Sequence, residues 1–326
     1  MRMAFCGKGG SGKSTLSSLV ARYMAYKNMP VLIIDGDINQ HLGHALGFEE
    51  SALTAQPKMG VDSKLLMNTI VGKNPRVKSA DFLTESTPAG RGSGFVYFDQ
   101  PSPVYDHYQM EKDGVRFMAV GSHEEEEIGT TCFHKFTGIF GMFLNHFIDR
   151  DDQVLIGDMC AGADPFASSG LASRFDGIFL VVEPTLKSTG VYDQCIKYAE
   201  PYGTKIFVIG NKVEDEADEA FIKERIGDDL IACFGKSKYV RNLEKGIFAP
   251  ISELEDENKA VLDTILEKAS MLKRDWAQYQ AIGMKFHKQA AEGWANAMYG
   301  VDMMDQFDPE FSYEDVMVDT KMDKAA

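Results

Sequence analysis

Cys6-Gly-Lys-Gly-Gly-Ser-Gly-Lys-Ser-Thr15 is the stretch whose reading decides the fold. Within it, Gly7-x4-Gly12-Lys13-Ser14 has the spacing of a phosphate-cradling P-loop. A short apolar run, Met3 to Cys6, precedes the loop. After it comes a helical pattern with Leu16, Leu19, Val20, Tyr23 and Met24 on one face. Strand, glycine loop and helix is the context that phosphate binding needs. The loop from Gly7 through Gly9, Gly10, Ser11 and Gly12 to Lys13, Ser14 and Thr15 is expected to turn its N–H groups and the helix N-terminus toward phosphate oxygens. Lys13 should reach the β/γ-phosphates and the Ser14 hydroxyl should ligate Mg²⁺. A turn without a ligand needs one or two glycines and has no use for the Lys-Ser pair that follows.

The surrounding 326 residues are enough for one large α/β domain or two smaller ones. Hydrophobic residues make up 44% and charged residues 25%, an ordinary globular composition. A formal net charge of −15 argues against nucleic-acid and anionic-lipid partners, which are held by Lys and Arg. No apolar leader follows an Arg/Lys-rich start, and no apolar run is long enough to span a membrane. The five cysteines (Cys6, Cys132, Cys160, Cys195, Cys233) are scattered and do not read as a disulfide framework, so a reducing cytoplasm is the expected compartment.

Outward from the loop, Val31–Asp35, Val115–Val120, Val154–Asp158, Ile178–Val182 and Ile206–Ile209 are apolar runs typical of strands buried on both faces. Phe136–Phe147 reads as a buried helix, and Asp228–Phe234 offers a further strand. Strands alternating with helices imply a three-layer α/β fold, with a mostly parallel central sheet flanked by helices. On this reading residues 1–250 form the P-loop domain. Within it, 49–114 is rich in Gly, Pro, Ser and Lys and reads as an insertion or mobile surface segment, either a lid or a decoration. Residues 251–300 form a helical extension. Residues 301–326 carry eight acids and two lysines and read as an acidic, partly disordered tail.

Three carboxylates stand at strand ends, where open α/β sheets bind ligands. Asp158 ends an apolar run, as a Mg²⁺-holding aspartate does; Asp37 lies close enough to the second strand to orient an attacking water; Asp35 is a candidate for Mg²⁺ or its waters.

Lys8 is not needed by a P-loop as such. Lys8-Gly-Gly-Ser-Gly-Lys-Ser14 resembles the deviant Walker-A signature of the ParA/MinD-like ATPases. The resemblance covers about residues 1–48 and 115–250. It implies an ATP-dependent homodimer in which Lys8 reaches the partner's ATP phosphates, a cation delivered in trans. Asp35-Gly-Asp-Ile-Asn-Gln-His41 resembles the first switch segment and Asp158-Met-Cys-Ala-Gly162 the second, with Gly162 placed to sense the γ-phosphate. Asn211 looks like the adenine-reading asparagine. Val181–Ser188 and Ile209–Val213 resemble segments of the nickel-insertion accessory ATPases of carbon monoxide dehydrogenase. There a Cys-x-Cys pair binds metal between protomers, whereas this chain has Cys132-Phe-His134, ligands suited to Zn²⁺ or Ni²⁺. The resemblance therefore implies a client protein, a metalloenzyme. Two other functions fit the loop: a positioning ATPase acting on DNA or membrane, and a metabolite kinase.

Overall fold

The computed structural model describes residues 1–123, 134–167 and 170–322. Among them the strands are β1 (Arg2–Gly7), β2 (Val31–Gly36), β3 (Val96–Tyr97), β4 (Met110–Lys112), β5 (Val115–Ala119), β6 (Phe147–Ile148), β7 (Val154–Met159), β8 (Gly177–Val182), β9 (Lys205–Val213) and β10 (Leu230–Gly235). Eight form one sheet in the order β10-β9-β8-β1-β7-β2-β5-β4. All its pairings are parallel except that of β4 with β5.

The apolar runs form central strands because both of their faces are covered. Side chains alternate along a strand. Met3, Phe5 and Ile33 therefore face one core, with Leu16, Leu19 and Val20 of the Lys13–Tyr26 helix and Leu262 and Ile265 of the Asp256–Ser270 helix. Ala4, Cys6, Leu32 and Ile34 face the other core, with Phe136, Phe140 and Phe143 of the His134–Asn145 helix and Cys195 of the Leu186–Ala199 helix. The result is the expected three-layer P-loop fold. Helix boundaries follow local chemistry: Asp215 caps the N–H groups of Ala217 and Asp218 (3.0 Å each), and the Glu216–Ile226 helix stops at Gly227, φ +70°.

Two segments differ from expectation. Residues 49–114 pack into the domain: Leu66, Ile70, Val96, Val104 and Tyr108 are buried, and β4 closes one edge of the sheet. The Gly90-Arg-Gly-Ser-Gly94 run, which reads as flexible, permits close approach instead. A Cβ at Gly94 would lie 1.9 Å from the Thr69 carbonyl oxygen. The first part of the acidic tail is also docked. Phe311 and Tyr313 are buried with Ala89, Ile148 and Tyr279, and the Asp308 carboxylate accepts from Arg91 Nε at 2.8 Å. Composition averaged over the tail hides these few anchoring side chains.

The helical extension is held to the sheet by buried charge. The Arg2 guanidinium is completely buried and donates to Asp149 (2.9 Å), to the carbonyls of Leu144 and Phe147 (3.1 and 2.6 Å), and to the Tyr279 hydroxyl (2.9 Å). Arg274 forks onto Asp149 (2.6 and 3.0 Å) and Asp176 (2.8 Å to each oxygen). Both guanidinium groups thus find carboxylates where little water reaches them, the condition under which a buried charge is tolerated.

Candidate functional site

The sheet register brings the strand-end acids together. Asp35 pairs in register with Asp158 across β2 and β7, and Asp158 with Phe5 of β1, just before the glycine loop begins. The loop therefore arches over a buried acidic floor. Its geometry depends on glycine at position 12, where φ is +91° and a Cβ would stand 2.2 Å from Asn211 Nδ2. Left-handed backbone costs a residue with a Cβ about 1–2 kcal/mol, and Asn211 would also be displaced. Gly12→Ala is expected to weaken nucleotide binding by roughly tenfold or more, read by titration with a fluorescent ATP analogue.

Lys13 opens the helix and its Nζ donates to Asp37 Oδ2. Burial by itself would lower the Lys13 pKa, but Asp158, Asp37 and Asp35 outweigh it, so the ammonium form is held more firmly than usual. Ser14 Oγ donates to Asp158 Oδ2 at 2.6 Å, while Asp158 Oδ1 is buried without a hydrogen-bond partner. Burial pushes Asp158 above the ordinary carboxylate range, against the pull of the Lys13 charge. A hydroxyl beside a carboxylate with an unused buried oxygen is an oxygen donor set that fits Mg²⁺, which takes few protein ligands and keeps its waters.

Asp35 stands beside Asp158 and is also tied to the backbone that follows it. Both its oxygens accept backbone N–H groups, from Asp37 and Leu42 (3.0 Å each), so it braces the turn after β2. Burial, and next the Asp158 charge, push its pKa up. Asp37 itself is fixed by the Asn39 N–H (3.0 Å) and side-chain amide (2.9 Å) in addition to Lys13.

The remaining loop residues are placed as follows. Lys8 is half-buried, and Gly9 and Gly10 are exposed at the loop's crest. Ser11 is buried, and its hydroxyl has no partner. Thr15 lies in the first helical turn, where its carbonyl accepts from Ser18 (2.7 Å). Gly162, φ +82°, donates its N–H to the Gly7 carbonyl at 2.9 Å, tying the segment after β7 to the loop. Asn211 Nδ2 donates to the Ser11 carbonyl at 2.7 Å, so in this structure it supports the loop. Cys132 lies outside the described residues, and of His134 only its place at the start of the His134–Asn145 helix is described. Among the described residues no group of three or more His, Cys, Asp or Glu is arranged to hold a metal.

Lys212 escaped the sequence reading. Its Nζ bridges the Gly10 carbonyl (2.7 Å) and Glu183 Oε1 (2.6 Å), and its own backbone is left-handed, φ +59°. Lys212 of β9, anchored by Glu183 just beyond β8, thus holds the crest of the loop, a contact that no local spacing could reveal.

A parallel sheet, a glycine loop at the end of its central strand, and a lysine and serine held over acids together define a P-loop nucleotide-binding protein. The chain belongs to the CobQ/CobB/MinD/ParA nucleotide-binding domain family, whose sequence model matches residues 3–236. It is an ATPase of that family. It is 26% identical to an uncharacterised ATP-binding protein of Methanocaldococcus jannaschii over 260 residues, 78% of this chain and 97% of the relative. It is also 26% identical over 228 residues to the carbon monoxide dehydrogenase accessory protein CooC of Rhodospirillum rubrum, covering 69% of this chain and 79% of that one. Among solved structures, the septum site-determining protein MinD of Pyrococcus horikoshii, complexed with Mg-ADP, has the same fold. It matches with TM-score 0.54 and 16% identity, over 82% of this chain and 95% of that one. Among the described residues no helix is long and apolar enough to cross a membrane.

Proposed function

We propose that this protein is a Mg-ATP-dependent switch whose two copies close over ATP and reopen after hydrolysis, and that it serves as an accessory factor in the maturation of a metalloenzyme. The observation that carries the switch reading is Lys8. It stands at the mouth of the loop and, among the described residues, its ammonium has neither ion pair nor hydrogen bond. The other loop lysine is committed to Asp37. A lysine without a partner among the described residues, beside the phosphate cradle, is suited to neutralise phosphate charge on a second copy.

The contacts of the site suggest how the switch is set. Incoming phosphate competes with Asp37 for the Lys13 ammonium, and Asp37, once released, is free to orient a water. Gly162 can offer its N–H to the γ-phosphate only by giving up the Gly7 carbonyl, so phosphate binding and the movement of this segment are linked. Mg²⁺ bound by Ser14, with Asp158 direct or through water, would neutralise charge on the β- and γ-phosphates.

Lys8→Ala is expected to retain nucleotide affinity within about threefold and to lose about 10²–10³-fold in turnover. Solution mass provides the second check. The unaltered protein should be a dimer with a non-hydrolysable ATP analogue and a monomer with ADP; monomers in both states, or full turnover by the variant, would refute the proposal. The maturation role draws on the likeness to CooC and on the Cys132-Phe-His134 segment. It is tested by titrating Zn²⁺ and Ni²⁺ into the protein with and without ATP, and into Cys132→Ala and His134→Ala variants. No binding at micromolar metal, or no effect of either variant, would remove that branch while leaving the ATPase switch standing.

A further inference from the structure

A cleft of about 620 Å³ lies away from the glycine loop, where residues 85–86, the Leu171–Arg174 turn and the Trp276–Ala290 helix meet. Much of its wall is aromatic: Phe166, Tyr202, Phe286 and Trp294. Arg174, only 5% exposed, also lines it. Its guanidinium lies over the rings of Tyr279 (5.5 Å) and Phe286 (5.9 Å). Among the described residues it makes neither a hydrogen bond nor an ion pair. The contrast with Arg2 and Arg274, which are buried against carboxylates, is direct.

A guanidinium is costly to bury and carries five donors in a planar fork. Ring faces offset part of that cost but accept none of its hydrogen bonds. The surroundings are shaped to admit the group. A Cβ at Gly283 would come within 2.7 Å of Arg174 Nη1, and one at Gly170, φ +61°, within 2.3 Å of the Phe286 ring.

We propose that this cleft binds a small organic monoanion, its carboxylate or sulfonate on Arg174 and its flat apolar body between the aromatic side chains. Glu85 also lines the cleft, which disfavours a polyphosphate and separates this site from the nucleotide site in ligand class. Exposed Lys197 at the rim adds a favourable charge for entry.

The test uses anilinonaphthalene sulfonate as the anionic probe and N-phenylnaphthylamine as its uncharged counterpart, titrated into the full-length protein with saturating Mg-ADP present. Saturable one-to-one binding of the sulfonate is expected. Arg174→Gln should weaken it roughly tenfold, the loss of a charge-assisted bidentate contact, without changing the affinity of the uncharged probe. Ala290→Trp, a partly exposed position lining the cleft, should weaken both probes; it decides the matter if Arg174→Gln does not fold. Sulfonate uptake that does not saturate overturns the proposal, as does unchanged affinity in either folded variant. Arg174 would then be a packing strut against Tyr279 and Phe286.

Discussion

Lys13→Ala is expected to lower ATP turnover by about 10³-fold or more while the chain remains folded. Lys13 is the cation that the site holds over three acids, and its pKa is raised by all three. Alanine leaves Asp37 with its two Asn39 contacts and Asp158 with Ser14, so each acid keeps a hydrogen bond. The phosphates, in contrast, lose the one ammonium held at the base of the cradle. Phosphate release under saturating Mg-ATP measures the effect, and thermal unfolding reports the integrity of the fold. Turnover within about tenfold of the unaltered protein would mean that Lys13 does not stabilise the transferring phosphoryl group. Comparison with Lys8→Ala separates the two lysines. Loss at position 13 should persist at any protein concentration, whereas a residue acting across a dimer should show its effect only where dimers form.

The largest expected effect on stability is at the opposite end of the sheet. Asp149→Ala should destabilise the protein by about 3–5 kcal/mol, measured by urea unfolding. Asp149 is fully buried and accepts from Arg2, from Arg274 and from the terminal ammonium of Met1 (3.1 Å). Without it, Arg2 keeps only neutral acceptors, and Arg274 keeps Asp176. The loss would be a large fraction of the 5–15 kcal/mol that typically holds a domain together. The exposed Lys27–Asp263 pair makes the control, since solvent screens it and its removal should leave the unfolding midpoint almost unchanged. Burial alone would raise the Asp149 pKa, but the surrounding cations drive it far below the usual range. A depressed carboxylate stabilises at any pH above its unfolded value. That contribution is lost as the pH falls toward the folded value, so the clamp should survive mild acid and fail only in strong acid.

The central strands were legible in the sequence because they are apolar on both faces, whereas the polar edge strand β4 was not; the loop was legible because Gly7, Gly12, Lys13 and Ser14 are fixed by local spacing. Contacts between distant residues were not. Asp149 sits in Asp149-Arg-Asp-Asp152, which resembles a solvated loop until Arg2 and Arg274 are brought to it. Asp35 and Asp37 are two residues apart and look equivalent, yet one braces a turn and the other holds a lysine. The docking of 49–114 was hidden because its buried residues sit on elements too short to show a sustained period: Leu66 and Ile70 on the Lys64–Val71 helix, Val96 on a two-residue strand, and Val104 and Tyr108 on the Pro103–Tyr108 helix. Glycine was ambiguous for a physical reason. The absence of a Cβ permits mobility in one setting and close packing in another, and only the partner, such as the Thr69 carbonyl against Gly94, decides between them.

The place of β1 has a consequence for how the chain is made. Within this sheet it is made before any other strand, yet its two neighbours, β7 and β8, span residues 154–182. The side chain that opens it, Arg2, also awaits Tyr279. Until those segments emerge, an apolar strand and a cation destined for burial stay without native partners. The nascent chain therefore carries this strand unpaired until the sheet neighbours some 150 residues downstream have been made, a period in which holding by a chaperone would guard against wrong pairing.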